Sequence, residues 1–384
     1  MSSIKLTSEG YSFHTLEFKV HPDSTQYHKV LRALYSAAEK SKERTYPLPK
    51  SHEQAHCSTV LSPHGIRLYL TKTETHGYTI KAIVNPRRVQ DPNCGYLGIM
   101  PTDSGSFEDF QDQFTLLVRK YHLPDFLDDW SLTRLDPCVN LMFTHKKSAR
   151  EICRLLQKDL LPSKMERVFF LDPTSKPEEQ RAQKERDKHS ICLRNKSYSL
   201  VVYDKLYQIE EEGLSKGSRR GCPDGILRME LRCTKPYINK LADPNSFSTS
   251  EQIRRLTEQS RDLILERARK AFSGGTHYKP DAMKALISDS QFQSHTREQL
   301  LWMADRMRYP FDIRKLEKGM KRTFDVKPRT VAKRLEQLQE LGINPIPLRK
   351  DFYLSQLPSF PQILELLEDD STTVALDSDG HILY

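Results

Sequence analysis

Apolar and polar residues alternate over residues 11–20 (YSFHTLEFKV), the period of a half-buried strand. Over residues 26–43, Val30, Leu31, Leu34, Ala37 and Ala38 recur at the spacing of one helical face. Residues 66–71 and 78–84 read as two further strands. The second is closed by Asn85-Pro86-Arg87-Arg88, because proline cannot continue a ladder. Residues 103–122 predict a helix with Asp103, Ser104 and Ser106 as N-cap candidates and Phe107, Phe110, Phe114, Leu117 and Val118 on one side.

Beyond residue 125 the pattern is strand, helix, strand, strand. Residues 131–143 (SLTRLDPCVNLMF) predict a strand in which Pro137 demands an edge position or a bulge. Residues 148–161 predict a helix with Ile152, Leu155 and Leu156 inward. Residues 172–188 are highly charged with almost no apolar residue, the composition of a solvated loop or mobile insertion. Residues 190–207 predict a hairpin turning at Asn195-Lys196, and residues 226–234 one more strand, with a polar, glycine-bearing basic stretch between them. After Asp243-Pro244-Asn245-Ser246 the pattern turns helical over residues 250–272, 296–307 and 328–341, the last followed by Gly342 at a C-cap position. The expected fold is α+β, an antiparallel-rich sheet covered by helices and followed by a helical C-terminal domain. The expected divisions are 1–125 and 126–245, the two halves of the sheet region, and 246–384.

Composition narrows the function. With 384 residues, 37% hydrophobic and 29% charged, the chain can bury two or three ordinary cores. No apolar run approaches a membrane span, and the opening MSSIKLTSEGYSF lacks the layout of a secretory signal, so a cytoplasmic protein is expected. Seven scattered cysteines form no CxxC pair, which argues against a zinc ribbon or a thiol-redox site. Sixty Lys and Arg against 51 Asp and Glu give a formal charge of +9, which favours a polyanionic partner. The segment from Glu365 onward is acidic, so the rest is more basic than the total suggests.

Three strand segments place polar groups where strands usually bury apolar ones: Thr133-Arg134-Leu135-Asp136, Val201-Val202-Tyr203-Asp204-Lys205 and Leu227-Arg228-Met229-Glu230-Leu231-Arg232. By the period of two, Arg134 and Asp136 share a face, as do Arg228, Glu230 and Arg232. If the strands are neighbours, Asp136 and Glu230 are hard oxygen ligands suited to Mg²⁺ or Mn²⁺, and the arginines would grip a phosphate. Tyr203 beside Lys205 is a candidate nucleophile, since a nearby cation favours phenolate. The competing reading is a ladder of cross-strand ion pairs with no chemistry.

The segments NPRRV, SLTRLDPCVN, KSYSLVVYDKLYQI and GILRMELRC fall in the order and spacing of the rolling-circle replication initiators of bacterial plasmids, integrative elements and filamentous phages. Over roughly residues 80–240 the chain resembles the gene II/X-type phage and plasmid replication proteins and the Rep proteins of staphylococcal-type plasmids. The matching patterns are TRxD, YxK with a following Gln208, and LRxE. The resemblance implies a site-specific nick at an origin, a 5′-phosphotyrosyl link and a free 3′-OH that primes synthesis. It implies Asp136 and Glu230 as metal carboxylates, Arg228 beside the phosphate, and Tyr203 as nucleophile, with Tyr198 and Tyr207 as rivals. Two features depart from relatives. Leu193-Arg194-Asn195-Lys196-Ser197 stands where many carry a Gly-Ser-rich hairpin, and the His-hydrophobic-His triplet of the other large class of nicking enzymes is absent, His145 and His189 being isolated.

Further DNA contacts are expected from Arg134, Arg87, Arg88, Arg219 and Arg220, the last two in a basic loop suited to single-stranded DNA. Lys327, Arg329, Lys333 and Arg334 open the helix over 328–341, and a preceding helix over 313–320 would complete a helix-turn-helix pair. A solvated basic face is the competing reading. The expected partners are single-stranded and duplex origin DNA and a helicase, with the chain a monomer or homodimer and no membrane involved. A DNA-binding copy-control protein without nicking activity, a water-using metal nuclease and a conjugative relaxase are the rival functions.

Overall fold

The computed structural model describes residues 4–48, 54–75, 77–94, 97–145, 147–159, 164–169, 176–211, 225–307, 313–367, 373–376 and 382–383. Its strands are β1 (Ile4–Val20), β2 (Thr45–Pro47), β3 (Gln54–Ser58), β4 (Ile66–Thr73), β5 (Gly77–Val84), β6 (Ser131–Phe143), β7 (Glu166–Val168), β8 (Ser190–Arg194), β9 (Tyr198–Asp204), β10 (Gly225–Thr234), β11 (His277–Tyr278), β12 (Gln356–Leu357), β13 (Thr373–Leu376) and β14 (Ile382–Leu383). The helices are α1 (Ser24–Glu39), α2 (Pro86–Gln90), α3 (Ser104–Arg119), α4 (Lys147–Lys158), α5 (Pro177–Lys188), α6 (Lys205–Glu211), α7 (Lys235–Leu241), α8 (Thr249–Glu258), α9 (Ser260–Ala271), α10 (Pro280–Ser288), α11 (Ser294–Arg306), α12 (Ile313–Phe324), α13 (Pro328–Glu340) and α14 (Phe360–Leu366). The fold is α+β, and helices dominate its C-terminal part.

One antiparallel sheet runs in the order β2-β3-β4-β5-β1-β6-β10-β9-β8-β7, with β13 and β14 added beside the start of β1. Apolar alternation decides which face is covered. Leu16 and Phe18 of β1, Leu135 and Val139 of β6, Met229 and Leu231 of β10, and Leu200 and Val202 of β9 lie in one buried core. Helices α4, α7, α8 and α9 pack on these strands. The opposite face carries the polar positions.

Strand β6 lies between β1 and β10 in the middle of the sheet, so Pro137 is not an edge residue. The ladder adjusts around it. Phe13 pairs with Pro137 and Thr15 with Asp136, so β1 has one extra residue, His14, at that point. Pairing between β10 and β6 runs up to Glu230–Cys138 and resumes at Cys233–Leu135, skipping the two rungs opposite Pro137 and Asp136, where the proline has no N–H to give.

Several expectations change. Residues 177–188 form helix α5 rather than a loop, although none of its side chains is buried. Pro177 opens it, Glu178 and Glu179 sit in its first turn and Arg186 and Lys188 in its last, each sign facing the favourable end of the helix dipole. The amphipathic run over 250–272 is two helices that break at Gln259. Packing also divides the chain later than residue 245. Helices α8 and α9 belong to the sheet's core, and a second core built from Met283, Ile287, Leu300, Met303, Met320, Val331 and Leu338 lies within α10–α13. The chain then returns to the first core through Ile346, Leu348, Phe360 and Ile363.

Candidate active site on the polar face of the sheet

Register places the polar residues of three strands together. Arg228 pairs with Asn140 on one side and Tyr203 on the other; Glu230 pairs with Cys138 and Val201. Residues directly opposite one another share a face. Asp136, Asn140, Tyr203, Arg228, Glu230 and Arg232 therefore lie on one face.

Two carboxylates organise the cluster. Asp136, wholly buried, accepts from Arg134 through both oxygens, with Nε at 2.8 Å and Nη2 on the other oxygen. Glu230, 3% exposed, accepts the Tyr203 hydroxyl on Oε1 at 2.5 Å and Arg232 Nη2 on Oε2 at 3.0 Å. Behind them Arg228 is fully buried. Its Nε donates to Asn140 Oδ1 at 2.7 Å and its Nη2 to the Leu97 carbonyl at 2.6 Å, while among the described residues Nη1 has no hydrogen-bond partner. Buried Lys205 donates to Gln208 Oε1 at 2.9 Å. Among the described residues of this face, Arg134, Arg228 and Arg232 stand beside Asp136 and Glu230, so the arginines outnumber the carboxylates. Such a site suits an anion.

The electrostatics divide the two acids. Burial pushes Asp136 up to about 6 in spite of Arg134. Glu230 is also penalised by burial, but Arg232 and Arg228, with the Tyr203 hydrogen bond, hold it well below the usual carboxylate range. Tyr203 is raised well above an ordinary phenol, chiefly by burial and then by Glu230, which outweigh Arg228 and Arg232. This corrects the expectation that Lys205 depresses the phenol. Strand β9 ends at Asp204, so Lys205 begins helix α6, and its ammonium stands 5.7 Å from the centre of the Tyr203 ring.

A cavity of about 250 Å³ opens beside the cluster, lined among others by Tyr203, Arg232, His189, Asp204, Tyr207 and Arg186. His189 stacks on Tyr207 with centroids 3.8 Å apart and lies 3.4 Å from Asp204. Tyr203 therefore meets both the buried carboxylate and a space where a substrate can sit.

The other candidates lie elsewhere. Tyr198 pairs with Cys233, which puts it on the helix-covered face. Its ring packs against Tyr237 and under Arg267, away from the carboxylates. Arg87 and Arg88 lie in helix α2 rather than in a free turn. Arg87 faces Asp91 at 3.9 Å, and Arg88 donates to the Pro63 carbonyl at 3.1 Å. Arg219 and Arg220 lie outside the described residues. His145 stacks on Tyr353 at 4.1 Å, apart from the site.

Three contributors escaped the sequence reading. His14, the extra residue of β1, is lowered well below an ordinary imidazole by burial and then by Arg228, so it stands neutral beside Glu230. Asn85, the N-cap of α2, brings its amide to 3.4 Å from His14 Nε2, so the NPRRV segment reaches the site through its asparagine and not its arginines. Asn140 ties Arg228 to the Leu97 loop. Only a register shift brings His14 to this place, and no residue type announces it.

Mg²⁺ commonly takes one or two carboxylates and completes its shell with water and substrate phosphate. Asp136 and Glu230 fit that donor chemistry, although each oxygen already accepts a hydrogen bond. Among the described residues no group of three or more His, Cys, Asp or Glu side chains gathers to hold an ion. No helix among the described residues is long and apolar enough to cross a membrane. No protein-family model matches the sequence, and a search of curated proteins finds no match.

Proposed function

We propose that the chain cuts and rejoins DNA by phosphodiester transfer to Tyr203, as a rolling-circle initiator acting at a replication origin. The observation that carries this reading is the Tyr203 hydroxyl held 2.5 Å from Glu230, within an arginine-rich cluster and on the wall of a cavity. Tyr203 Oη attacks the phosphorus while its proton passes to Glu230. The P–O3′ bond breaks, and the 3′ oxygen takes a proton from a water molecule, which in turn recovers the proton held by Glu230. The products are a 5′-phosphotyrosyl link and a free 3′-OH.

The resting site resists this step, because the phenol is raised and the carboxylate lowered. What offsets the resistance is fixed positive charge where negative charge develops. Arg228 offers a buried Nη1 that has no hydrogen-bond partner among the described residues. Arg134 and Arg232, with side chains 31% and 39% exposed, are the groups able to meet a phosphate from solvent. Mg²⁺ or Mn²⁺ held by Asp136 and Glu230 would add Lewis-acid polarisation of the scissile phosphate. Single-stranded and duplex origin DNA are the partners in this reading, with a helicase to open the strand ahead, in the cytoplasm.

The test uses the full chain and a supercoiled plasmid carrying its gene and flanking DNA. The expected result is nicked or relaxed plasmid with protein covalently attached. Trypsin separates residues 197–205, with Tyr198 and Tyr203, from residues 206–216, with Tyr207, and fragmentation of the first peptide places the nucleotide on Tyr203. Tyr203→Phe removes both cutting and adduct. Undiminished cutting by Tyr203→Phe without an adduct would instead mean hydrolysis by water, and binding without cutting a non-enzymatic protein.

A further inference from the structure

The net charge of +9 is not spread evenly. Residues 313–334 hold nine Lys and Arg against Glu317 and Asp325. They form α12, a three-residue turn and α13, with Asp325 in the left-handed region at φ 52. The pair has its own core: Leu316 and Met320 of α12 and Val331, Leu335 and Leu338 of α13 point inward, packed with α11. Arg334 faces inward too, donating to Gln299 of α11 at 2.8 Å and to Gln337 at 2.6 Å. Lys318, Lys321 and Arg322 on α12, Lys327 in the turn, and Arg329 and Lys333 on α13 are exposed. Among the described residues none of these six has an acidic partner within ion-pair distance.

We propose that α12 and α13 form a helix-turn-helix surface for duplex DNA, with α13 the helix that enters the major groove. The inference rests on the reading that this chain acts on DNA and assigns duplex recognition to a surface separate from Tyr203. The helix diameter of about 10–12 Å matches a groove about 12 Å wide. The exposed positions of α13 are Pro328, Arg329, Ala332, Lys333, Glu336, Gln339 and Glu340. Small Ala332 lets the helix approach the groove, and Arg329 and Lys333 can reach base edges or phosphates. Lys318, Lys321 and Arg322 on the preceding helix then face the sugar-phosphate backbone. A lipid surface is disfavoured because α13 exposes no large apolar side chain to insert.

The test is fluorescence anisotropy of the full chain with a labelled random-sequence duplex of about 30 base pairs, long enough for several helical turns. The single strand of the same length is run beside it, both over a salt series. Arg329→Ala with Lys333→Ala weakens duplex binding roughly tenfold and lowers the slope of log affinity against log salt by about two. Lys29→Ala with Arg32→Ala, the same charge change on exposed positions of α1, changes neither. Adduct formation on single-stranded DNA stays intact in the α13 variant, so failure here and failure of the nicking reading are separable. Unchanged duplex binding by the α13 variant, or an equal loss in the α1 control, overturns the assignment. So does a loss confined to vesicles of phosphatidylserine and phosphatidylcholine.

Discussion

Asp136→Asn tests the electrostatics of the cluster through stability alone. Burial lifts Asp136 from the ordinary 3.8 to about 6, so between those values the folded chain holds a proton that the unfolded chain releases. Stability linked to this group is complete below about pH 4 and falls as pH rises through 6, the reverse of an ordinary salt-bridged carboxylate. A rise of about two units corresponds to roughly 3 kcal/mol. Asparagine has nearly the same shape and does not titrate. The two proteins should therefore be similar in stability near pH 4, and the asparagine variant about 3 kcal/mol more stable near pH 7. The assay is urea unfolding followed by tryptophan fluorescence. The chain has two tryptophans, and in a Trp302→Phe background the buried Trp130, packed against Phe18 and Phe114, reports the sheet alone. A variant less stable than its parent at pH 7 by as much as at pH 4 would refute the reasoning, because it would mean that the Arg134 pairing outweighs desolvation.

Three further outcomes follow from the geometry. Glu230→Gln removes the carboxylate that pairs with Arg232 at 3.0 Å and offsets the charge of buried Arg228, and should cost about 3 kcal/mol in urea unfolding at pH 7. Because the Glu230 pKa is depressed, that loss should shrink as pH falls below about 4, where the unfolded carboxyl protonates. Tyr198→Phe should leave adduct yield unchanged, since its ring lies on the covered face; loss of the adduct would move the nucleophile there. Gly319→Ala sets two effects against each other. Alanine favours the helix by about 1 kcal/mol, but its Cβ would stand 2.7 Å from Trp302, whose ring is edged by Phe324 and covered by Arg306. Overpacking of about 1–3 kcal/mol should win, and Trp302 fluorescence in a Trp130→Phe background should show earlier unfolding of α10–α13.

The sheet was legible wherever one face is covered, because alternation then repeats with period two, as in β1, β4, β5 and β10. The same period placed Arg228, Glu230 and Arg232 together, and Arg134 with Asp136. Alternation carries no register, however. It could not tell that Tyr203 would meet Glu230, or that Asp136 would take Arg134 as its own partner. Helix α5 was hidden because its pattern is one of charges at helical spacing, such as Glu185 with Lys188, and not of apolar residues. The boundary near 245 misled because an amphipathic helix does not say which surface it covers; α8 and α9 cover the sheet. His14 was invisible, since its position depends on one inserted residue.

A structural ladder of ion pairs remains the natural rival to an active site, and energetics weigh against it. Surface pairs contribute little, and buried ones repay their desolvation only when every donor and acceptor is satisfied. Apolar residues of similar volume would serve this central part of the sheet at least as well, as Leu135, Met229 and Val202 do on its other face. Yet among the described residues the cluster's three arginines outnumber its two carboxylates, and Arg228 Nη1 is buried with no hydrogen-bond partner. It also lifts Asp136 toward neutrality and keeps Tyr203 against a carboxylate at the wall of a cavity. Each of these features costs folding free energy, and a ladder built for stability needs none of them. On the proposed reading an incoming phosphate would meet the excess positive charge and offset that cost, with Tyr203 the group proposed to attack it.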